Sequence, residues 1–248
     1  MDNSRIYYVN SESRLSGTNS RFAFPIQIPP NSGFDRVVVL QASIPLSYYL
    51  VQDGYNKFIL IELGVETEIT IPQGNYNVNN FMASLKTLLN TSSPNAWVYN
   101  ITFDILVAHY TFTVTGNSGQ PAIKVNNHMY QQFGFNRSTT NTFSGDQLTS
   151  INSLNFIPES TLYIHSDIVQ EDINVLQEVY SNNTIPYSQI TYKLQSEFDT
   201  YSKKLRTTGS NVFNFYLTNE EDEEMYLNGQ HLLLTILLYK KDDFIEVN

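Results

Sequence analysis

The sequence predicts an all-β protein, a sandwich or a barrel, with a clear helix in one connection between strands. Roughly eight to ten short segments alternate apolar and polar residues and are separated by turn residues. Aromatic residues make up 13% of the chain, and charged residues make up 15%, which is below the usual quarter. At 248 residues, the chain has an ordinary size for a single all-β domain.

The domain organisation is predicted from the N-terminal end onward. Residues 1–20 are polar and have no clear period, which predicts an irregular N-terminal arm. From Arg21 to Ile28, apolar residues occupy every second position and predict the first strand, with Pro25 favouring a sheet edge. No repeat and no linker rich in Pro, Gly or Ser divides the rest of the chain. Residues 21–248 are therefore predicted to form one domain with loop insertions.

A long apolar strand follows the first turn. The segment from Arg36 to Val51 is apolar on both faces and is broken by Pro45. This pattern predicts burial on both sides, or an outer face that meets a partner. Phe58 to Glu62 and Glu66 to Ile71 flank a turn at Leu63-Gly64 and are predicted to form a hairpin.

The predicted helix begins after Tyr76, where Asn77 is a favourable N-cap residue. Apolar residues then recur at the spacing of one helical face, and the helix is expected to end within residues 90–94. This face consists of Val78, Phe81, Met82, Leu85, Leu88 and Leu89. Gly74, in the turn before the helix, is expected to take a positive φ, where a side chain would strain the backbone.

The middle of the chain contains two further alternating segments. Trp97 to Phe103 and Tyr110 to Val114 are predicted to be paired strands. Met129 to Phe135 is predicted to form a short helical turn that ends at Gly134.

The last part of the chain is less regular. Residues 136–158 are rich in Thr, Ser and Asn and are predicted to be a long loop. Residues 166–183 fit either a helix or irregular β structure. Further strands are predicted at Thr161 to His165, Ile190 to Leu194, Phe213 to Leu217 and Leu232 to Tyr239.

The net charge argues against two classes of partner. The formal charge is −10, whereas nucleic-acid binding needs clustered Lys and Arg, so no direct nucleic-acid contact is expected. An acidic chain is also repelled by anionic lipid surfaces. The longest apolar run, Leu232 to Tyr239, is far shorter than a membrane span, and residues 1–5 lack an apolar leader. No membrane insertion is expected.

No catalytic, cofactor-binding or metal-binding residue is predicted. The histidines, His109, His128, His165 and His231, lack the spacing of a local metal site and are interpreted as isolated imidazoles. The acidic run Glu220 to Glu224 lacks the alternation and glycine of a calcium loop, which favours a solvated, mutually repelling loop. The chain has no cysteine and no Gly-x-Ser-x-Gly elbow. We therefore expect a protein that is not an enzyme and that needs no cofactor.

The order of features between Arg14 and Leu89 resembles that of the penton-type minor capsid proteins of virophages and polinton-like viruses. In that family, a segment ending in Ala-Ser-Ile-Pro-x-Ser-x-Tyr precedes a loop that contains Asn. An Ile-x-Ile-Pro-x-Gly-x-Tyr turn then leads into a short helix. The matching residues are Ala42-Ser43-Ile44-Pro45, Ser47, Tyr49, Asn56, Ile71-Pro72, Gly74 and Tyr76. Leu46 departs from the family pattern, which often has a small polar residue there.

The resemblance implies a single jelly roll made of two antiparallel four-stranded sheets. It further implies a non-enzymatic capsid protein that forms homopentamers at the five-fold vertices of the virion. Its partners would be other copies of itself and the major capsid protein, a double jelly roll. Synthesis would take place in the cytoplasm of the host.

Two other functions remain open at this point. A carbohydrate-binding jelly roll, lectin-like or used for host attachment, would contact a receptor or glycan through its outer loops, and the abundant aromatic residues could line its groove. A sugar-active or cupin-like enzyme is the weakest alternative, because close-set histidines on one strand are missing from the sequence.

Overall fold

The structure is a computed structural model of the chain. It describes residues 4–157, 159, 161–170, 174–180, 188–195, 198–206 and 209–241. Its strands are β1 Ser4–Asn10, β2 Ser16–Gly17, β3 Arg21–Pro25, β4 Arg36–Pro45, β5 Lys57–Glu62, β6 Val65–Thr70, β7 Val98–Asp104, β8 His109–Thr115, β9 Ala122–Lys124, β10 Thr140–Thr142, β11 Gln147–Thr149, β12 Thr161–Ser166, β13 Val175–Tyr180, β14 Gln189–Lys193, β15 Lys203–Lys204, β16 Val212–Thr218 and β17 Leu233–Tyr239. The helices are α1 Val78–Ser92 and α2 Tyr130–Phe133, and 3₁₀ turns occupy Ser11–Ser13 and Phe198–Tyr201.

The chain divides into two compact units. The terminal unit contains the residues up to Tyr48 together with those from Glu159 onward. The inserted unit contains Tyr49–Pro158, so it lies in the connection between β4 and β12. Each unit has its own hydrophobic core.

The terminal unit is a jelly roll. One sheet has the strand order β1-β17-β4-β14, with β15 also paired to β4, and the other has the order β13-β12-β16-β3-β2. Its eight principal strands, taken in chain order, are β1, β3, β4, β12, β13, β14, β16 and β17. The first sheet then contains strands 1-8-3-6 of this series, and the second contains 5-4-7-2, all paired antiparallel. This alternation between two sheets is the jelly-roll arrangement, and it confirms the predicted fold class.

The two sheets of the terminal unit enclose one core. Apolar side chains from both sheets contribute to it, as the alternation in β3, β12, β16 and β17 requires. The members include Val9, Phe22, Val37, Val39, Ile44, Leu162, Ile164, Phe213, Phe215, Leu217, Leu234, Ile236 and Leu238. The predicted strands from Arg21 and from Arg36 are confirmed, but both end at a proline, Pro25 and Pro45. Proline has no N–H group to continue a ladder.

The second apolar face of β4 is partly covered within the same unit. Val38 is 1% exposed although it is outside the main core. The 3₁₀ turn Phe198–Tyr201 lies against β4, and the ring of Phe198 meets that of Tyr239 edge-on at 4.9 Å between centroids. Around Val38, the doubly apolar pattern of β4 therefore reflects burial on both faces of the strand.

The expectation of an irregular arm is wrong for Ser4–Asn10. These residues form β1, which pairs with the whole of β17 from Leu233 to Tyr239. Val9 points into the core, whereas Tyr8 is 76% exposed. Because β1 is an edge strand with apolar residues on both faces, its sequence lacks the contrast between faces that reveals a half-buried strand.

The inserted unit contains two smaller antiparallel sheets and both helices. The sheets have the strand orders β10-β9-β5-β6 and β11-β8-β7. The predicted hairpin of β5 and β6 and the predicted pair of β7 and β8 are both confirmed. The core includes Val51, Phe58, Leu60, Ile69, Phe81, Leu85, Leu89, Tyr99, Tyr110, Phe112, Phe133 and Phe135.

The long helix α1 forms as its sequence predicts. The side chain of Asn77 accepts hydrogen bonds from the N–H groups of Asn79 and Asn80, and Asn80 returns one to the Asn77 N–H. Phe81, Leu85 and Leu89 are fully buried on one face. The helix ends at Ser92, inside the predicted range.

Two irregular regions contain more β structure than the sequence indicates. Residues 136–158 hold the short strands β10 and β11, so the prediction of one long loop is wrong there. Their residues are mostly polar, and the strands are recognisable only through their partners β9 and β8. In the open segment 166–183, Val175–Tyr180 forms β13, while Ile173 and residues 181–183 lie outside the described residues.

Gly74 has a φ of +157°, which confirms the expected positive value. Its N–H and C=O groups both pair with Val51, at 3.0 and 3.1 Å. Gly74→Val is expected to lower the free energy of unfolding by about 1 kcal/mol or more, because this backbone region is nearly restricted to glycine. An added Cβ would lie 3.7 Å from the Tyr76 ring, so the cost comes from the backbone rather than from a clash.

Urea unfolding measures this difference. Gly209→Val is the matched control, because a Cβ at Gly209 meets nothing within 4 Å. Equal unfolding midpoints for the two variants would contradict the expectation for Gly74.

Candidate functional site

The outer face of the second sheet in the terminal unit carries a row of polar and aromatic side chains. Tyr216 on β16 lies opposite Arg21 on β3 and opposite His165 on β12, and His165 in turn lies opposite Val175 on β13. The rings of Tyr216 and His165 are stacked at 4.4 Å between centroids and 7° between planes. The Arg21 guanidinium lies 4.3 Å from the centroid of the Tyr216 ring.

This row is held in place by further polar contacts. His165 is 4% exposed, and its Nε2 lies 2.9 Å from the Thr218 hydroxyl. Arg21 Nε donates to a Glu224 carboxylate oxygen at 2.7 Å. The Arg21 charge is therefore already engaged by a carboxylate and an aromatic ring.

The acidic run forms a tight loop after β16. The side-chain oxygen of Asn219 accepts the N–H groups of Glu221 and Glu223, and its backbone N–H donates to the Glu223 carbonyl. Glu220 and Asp222 are exposed, as expected for a solvated loop. Glu223 is 5% exposed, so the expectation is wrong at that residue. The loop folds back over Asn219, and this closure buries one side chain of the run.

The acidic residues affect the two tyrosines beside them. Burial raises the pKa of Tyr216 above its ordinary value, Asp222 and Asp167 raise it further, and Arg21 opposes them. Burial also raises the pKa of Tyr163, with additional contributions from Glu178 and Glu220. Both hydroxyl groups therefore keep their protons at neutral pH and remain hydrogen-bond donors.

The other histidines lie elsewhere. His231 Nδ1 lies 3.5 Å from the Ser11 hydroxyl in the terminal unit. His109 and His128 belong to the inserted unit, where His128 is 3% exposed and its Nε2 lies 3.2 Å from the Leu50 carbonyl oxygen. Within the part of the chain that the structure describes, no group of three or more His, Cys, Asp or Glu side chains is placed to hold a metal ion.

The residues that carry the family resemblance hold turns of the backbone. In the terminal unit, the Ser47 hydroxyl donates to the Leu227 carbonyl at 2.7 Å. In the inserted unit, the Asn56 side chain donates to the Ile71 carbonyl at 2.8 Å, and the Tyr76 hydroxyl donates to the Pro72 carbonyl at 2.7 Å. These side chains fix the path of the chain and lie outside the row on the second sheet.

Comparisons with known proteins find likeness among solved structures and no significant match of sequence. No protein-family model matches the sequence, and no curated protein matches it significantly. A search of solved structures finds the selenomethionine-labelled penton protein of mavirus, with a TM-score of 0.45 and 12% identity. The match covers 95% of this chain and 98% of that chain. The likeness is weak, and the assignment of the jelly roll rests on the strand order of the terminal unit. Across the described ranges, no helix has both the length and the apolar character needed to cross a membrane.

Proposed function

We propose that this chain is a structural capsid protein, a penton that forms homopentamers at the five-fold vertices of an icosahedral virion. In this proposal, the pentamer contacts the surrounding major capsid protein and has no enzymatic role. The chain is made in the host cytoplasm and resides in the virion. The residue pattern shared with penton-type proteins and the jelly-roll strand order of the terminal unit support the proposal.

The observation that carries the proposal is an uncovered outer face on the first sheet of the terminal unit. We call it the open face, and it extends over β1, β17, β4 and β14. Its rows follow from the strand register, in which Tyr8 pairs with Thr235 and Thr235 with Gln41, while Leu233 pairs with Ser43 and Ser43 with Thr191. The open face consists of Tyr8, Asn10, Gln41, Ser43, Thr191, Lys193, Leu233 and Thr235.

The chemistry of the open face suits contact with another copy of the chain. Tyr8 is 76% exposed and Leu233 is 43% exposed, and a groove of 450 Å³ runs between them and Gln41. Apart from Lys193, its polar residues carry uncharged hydroxyl and amide groups, which form hydrogen bonds without the cost of burying charge. Tyrosine is enriched in protein interfaces. A ring requires head-to-tail contacts, in which such a face meets a different surface of the next copy.

The solution mass of the purified chain tests the pentamer. Light scattering over a range of protein and salt concentrations is expected to show a species of five times 28.4 kDa at high protein concentration. A chain that stays monomeric over the whole range would contradict ring formation without the shell. It would also strengthen the carbohydrate-binding alternative.

A pair of variants tests the open face itself. Tyr8→Glu is expected to weaken self-association by about tenfold or more, because a charge would be buried at the contact. Tyr180→Glu is the matched control, since Tyr180 is 66% exposed on β13 of the other sheet. If both variants self-associate equally well, the open face is not part of the contact between copies.

A further inference from the structure

The hairpin of β7 and β8 ends in exposed aliphatic side chains. The two strands pair as far as Asp104 and His109, and a four-residue turn joins them. Within this turn, Ile105 is 81% exposed, Leu106 is 90% exposed and Val107 is 50% exposed. We call these three consecutive residues the aliphatic tip. Apolar side chains that are exposed together, rather than singly, mark a contact with another surface.

The turn and the segment beside it contain no charged residue. Residues 150–157 run next to the turn, where the Leu154 N–H donates to the Ala108 carbonyl at 2.9 Å. Neither 105–108 nor 150–157 contains Asp, Glu, Lys or Arg, although the chain has a net charge of −10. Ile151, in the second of these segments, is 56% exposed. The end of the hairpin is therefore an uncharged apolar projection.

Part of the backbone at the tip is already hydrogen-bonded within the protein. The Asp104 carboxylate accepts the Leu106 N–H at 2.8 Å, and the Ser153 hydroxyl donates to the Val107 carbonyl at 3.4 Å. Backbone groups that enter a lipid layer lose their contact with water, so they need partners of this kind. The tip therefore leaves water at a lower cost than an open loop of the same sequence.

A lipid surface fits this tip better than a protein surface does. A specific protein interface buries about 800 Å² on each partner, and its anchors are mostly Tyr, Trp and Arg. A four-residue turn is too small to present that area, and the exposed side chains of this one are aliphatic. A bilayer needs no complementary shape and takes up aliphatic side chains directly. The lipid is neutral, because Asp104 beside the tip and the net charge of −10 repel anionic headgroups.

We infer that the aliphatic tip binds the surface of a neutral lipid bilayer. Its three side chains enter the boundary between headgroups and acyl chains, while Asp104 and His109 stay among the headgroups. This depth is far less than a membrane span, so no long apolar segment is required. The hairpin is held from behind, because the Tyr110 hydroxyl donates to the Val78 carbonyl of α1 at 2.6 Å. The inference does not depend on the proposed capsid role.

Vesicle flotation with the full chain tests the lipid and its charge. The probes are vesicles of phosphatidylcholine alone and vesicles in which phosphatidylcholine is mixed with phosphatidylserine. The chain is expected to float with phosphatidylcholine vesicles at high lipid concentration and to bind the mixed vesicles less. A chain that never floats with phosphatidylcholine, or that binds the mixed vesicles more strongly, would overturn the inference.

A pair of variants tests the tip. Leu106→Asp places a charge at the most exposed point of the tip and is expected to weaken vesicle binding by about tenfold or more. Leu15→Asp is the matched control, because Leu15 is 59% exposed in the terminal unit and has Arg14 and Ser16 as its chain neighbours. Wild-type binding in Leu106→Asp, or an equal loss in Leu15→Asp, would overturn the assignment. Lost self-association in Leu106→Asp with unchanged vesicle binding would overturn it too, because the tip would then contact another copy.

Discussion

Replacing Glu62 with alanine is expected to lower the free energy of unfolding by about 3 kcal/mol or more. Glu62 is the last residue of β5 and is fully buried in the inserted unit. Its carboxylate accepts four hydrogen bonds. They come from the Ser93 hydroxyl at 2.7 Å, the Tyr99 hydroxyl at 2.7 Å, the Asn95 N–H at 3.1 Å and the Asn95 side chain at 3.0 Å. Truncation leaves all four donors without this acceptor.

The network joins three parts of the inserted unit. Glu62 ends a strand of one sheet, Ser93 caps the end of α1, and Tyr99 lies on β7 of the other sheet. Burial raises the pKa of Tyr99 well above its ordinary value, and the hydrogen bond to Glu62 and its negative charge add to this effect. Tyr99 therefore remains a donor throughout the neutral range, and the carboxylate keeps its partners.

Two further variants distinguish the effect of losing the buried hydrogen bonds from the effect of losing a surface charge. Tyr99→Phe removes one donor and is expected to cost about 1.5–3 kcal/mol, as for a hydrogen bond to a charged group. Glu68→Ala removes an exposed carboxylate that pairs with Lys57 at 2.6 Å, and it is expected to cost about 1 kcal/mol or less. A Glu62→Ala variant as stable as Glu68→Ala would show that the four hydrogen bonds contribute little.

The fluorescence of Trp97 measures the unfolding of the inserted unit in these variants. Trp97 is the single tryptophan of the chain, it is 3% exposed in the inserted unit, and its backbone N–H donates to the Ser93 hydroxyl. Its fluorescence during urea unfolding reports on this unit, and far-UV circular dichroism reports on the whole chain. The sequence predicts one domain over residues 21–248, for which the two transitions coincide. Separate transitions would mean that the two compact units unfold independently.

Local pattern and capping chemistry made much of the fold predictable. Alternation in β7, β8 and β16 located strands because each has one buried and one exposed face. The helix α1 was predictable from Asn77 and the spacing of Phe81, Leu85 and Leu89. These signals act over a few residues, so a sequence displays them directly.

Features that depend on distant partners were not predictable in this way. The division of the chain falls between Tyr48 and Tyr49, inside an apolar run without a linker. The strand β1 exists through its pairing with β17, more than 220 residues away. Glu62 looked like the polar end of a hairpin strand, and its acceptor role depends on Ser93 and Tyr99, which lie 31 and 37 residues further along.

The closure of the acidic loop was hidden for the same reason. The run from Glu220 to Glu224 was interpreted as a solvated loop, since the sequence shows its charges and not its closure. Asp222 takes a φ of +60°, which lets the loop turn back so that Asn219 is buried beneath it. The burial of Asn219 arises from this turn. A polar residue directly before an acidic run is a weak signal without the structure.

Gly134→Ala is expected to destabilise the chain by about 3 kcal/mol, the second large effect. The sequence predicts a helical turn that ends at this glycine, and the structure confirms it as the C-cap of α2, with φ +66° and ψ +32°. A side chain is strained in this left-handed conformation. An added Cβ would also lie 2.4 Å from the Asn152 carbonyl oxygen and 2.8 Å from the Ser150 Cβ.

The added Cβ would meet the backbone at Asn152, which cannot easily move. The Gly134 carbonyl accepts the N–H groups of Ile151 and Asn152, both at 2.9 Å, so relieving the clash with Asn152 breaks this pairing. Gly145→Ala is the matched control, because Gly145 has a similar φ of +62° and a Cβ there meets nothing within 4 Å. That variant carries the backbone strain alone and is expected to cost about 1 kcal/mol. Urea midpoints followed by Trp97 fluorescence give the difference, and equal costs would show that the chain around Asn152 yields without loss.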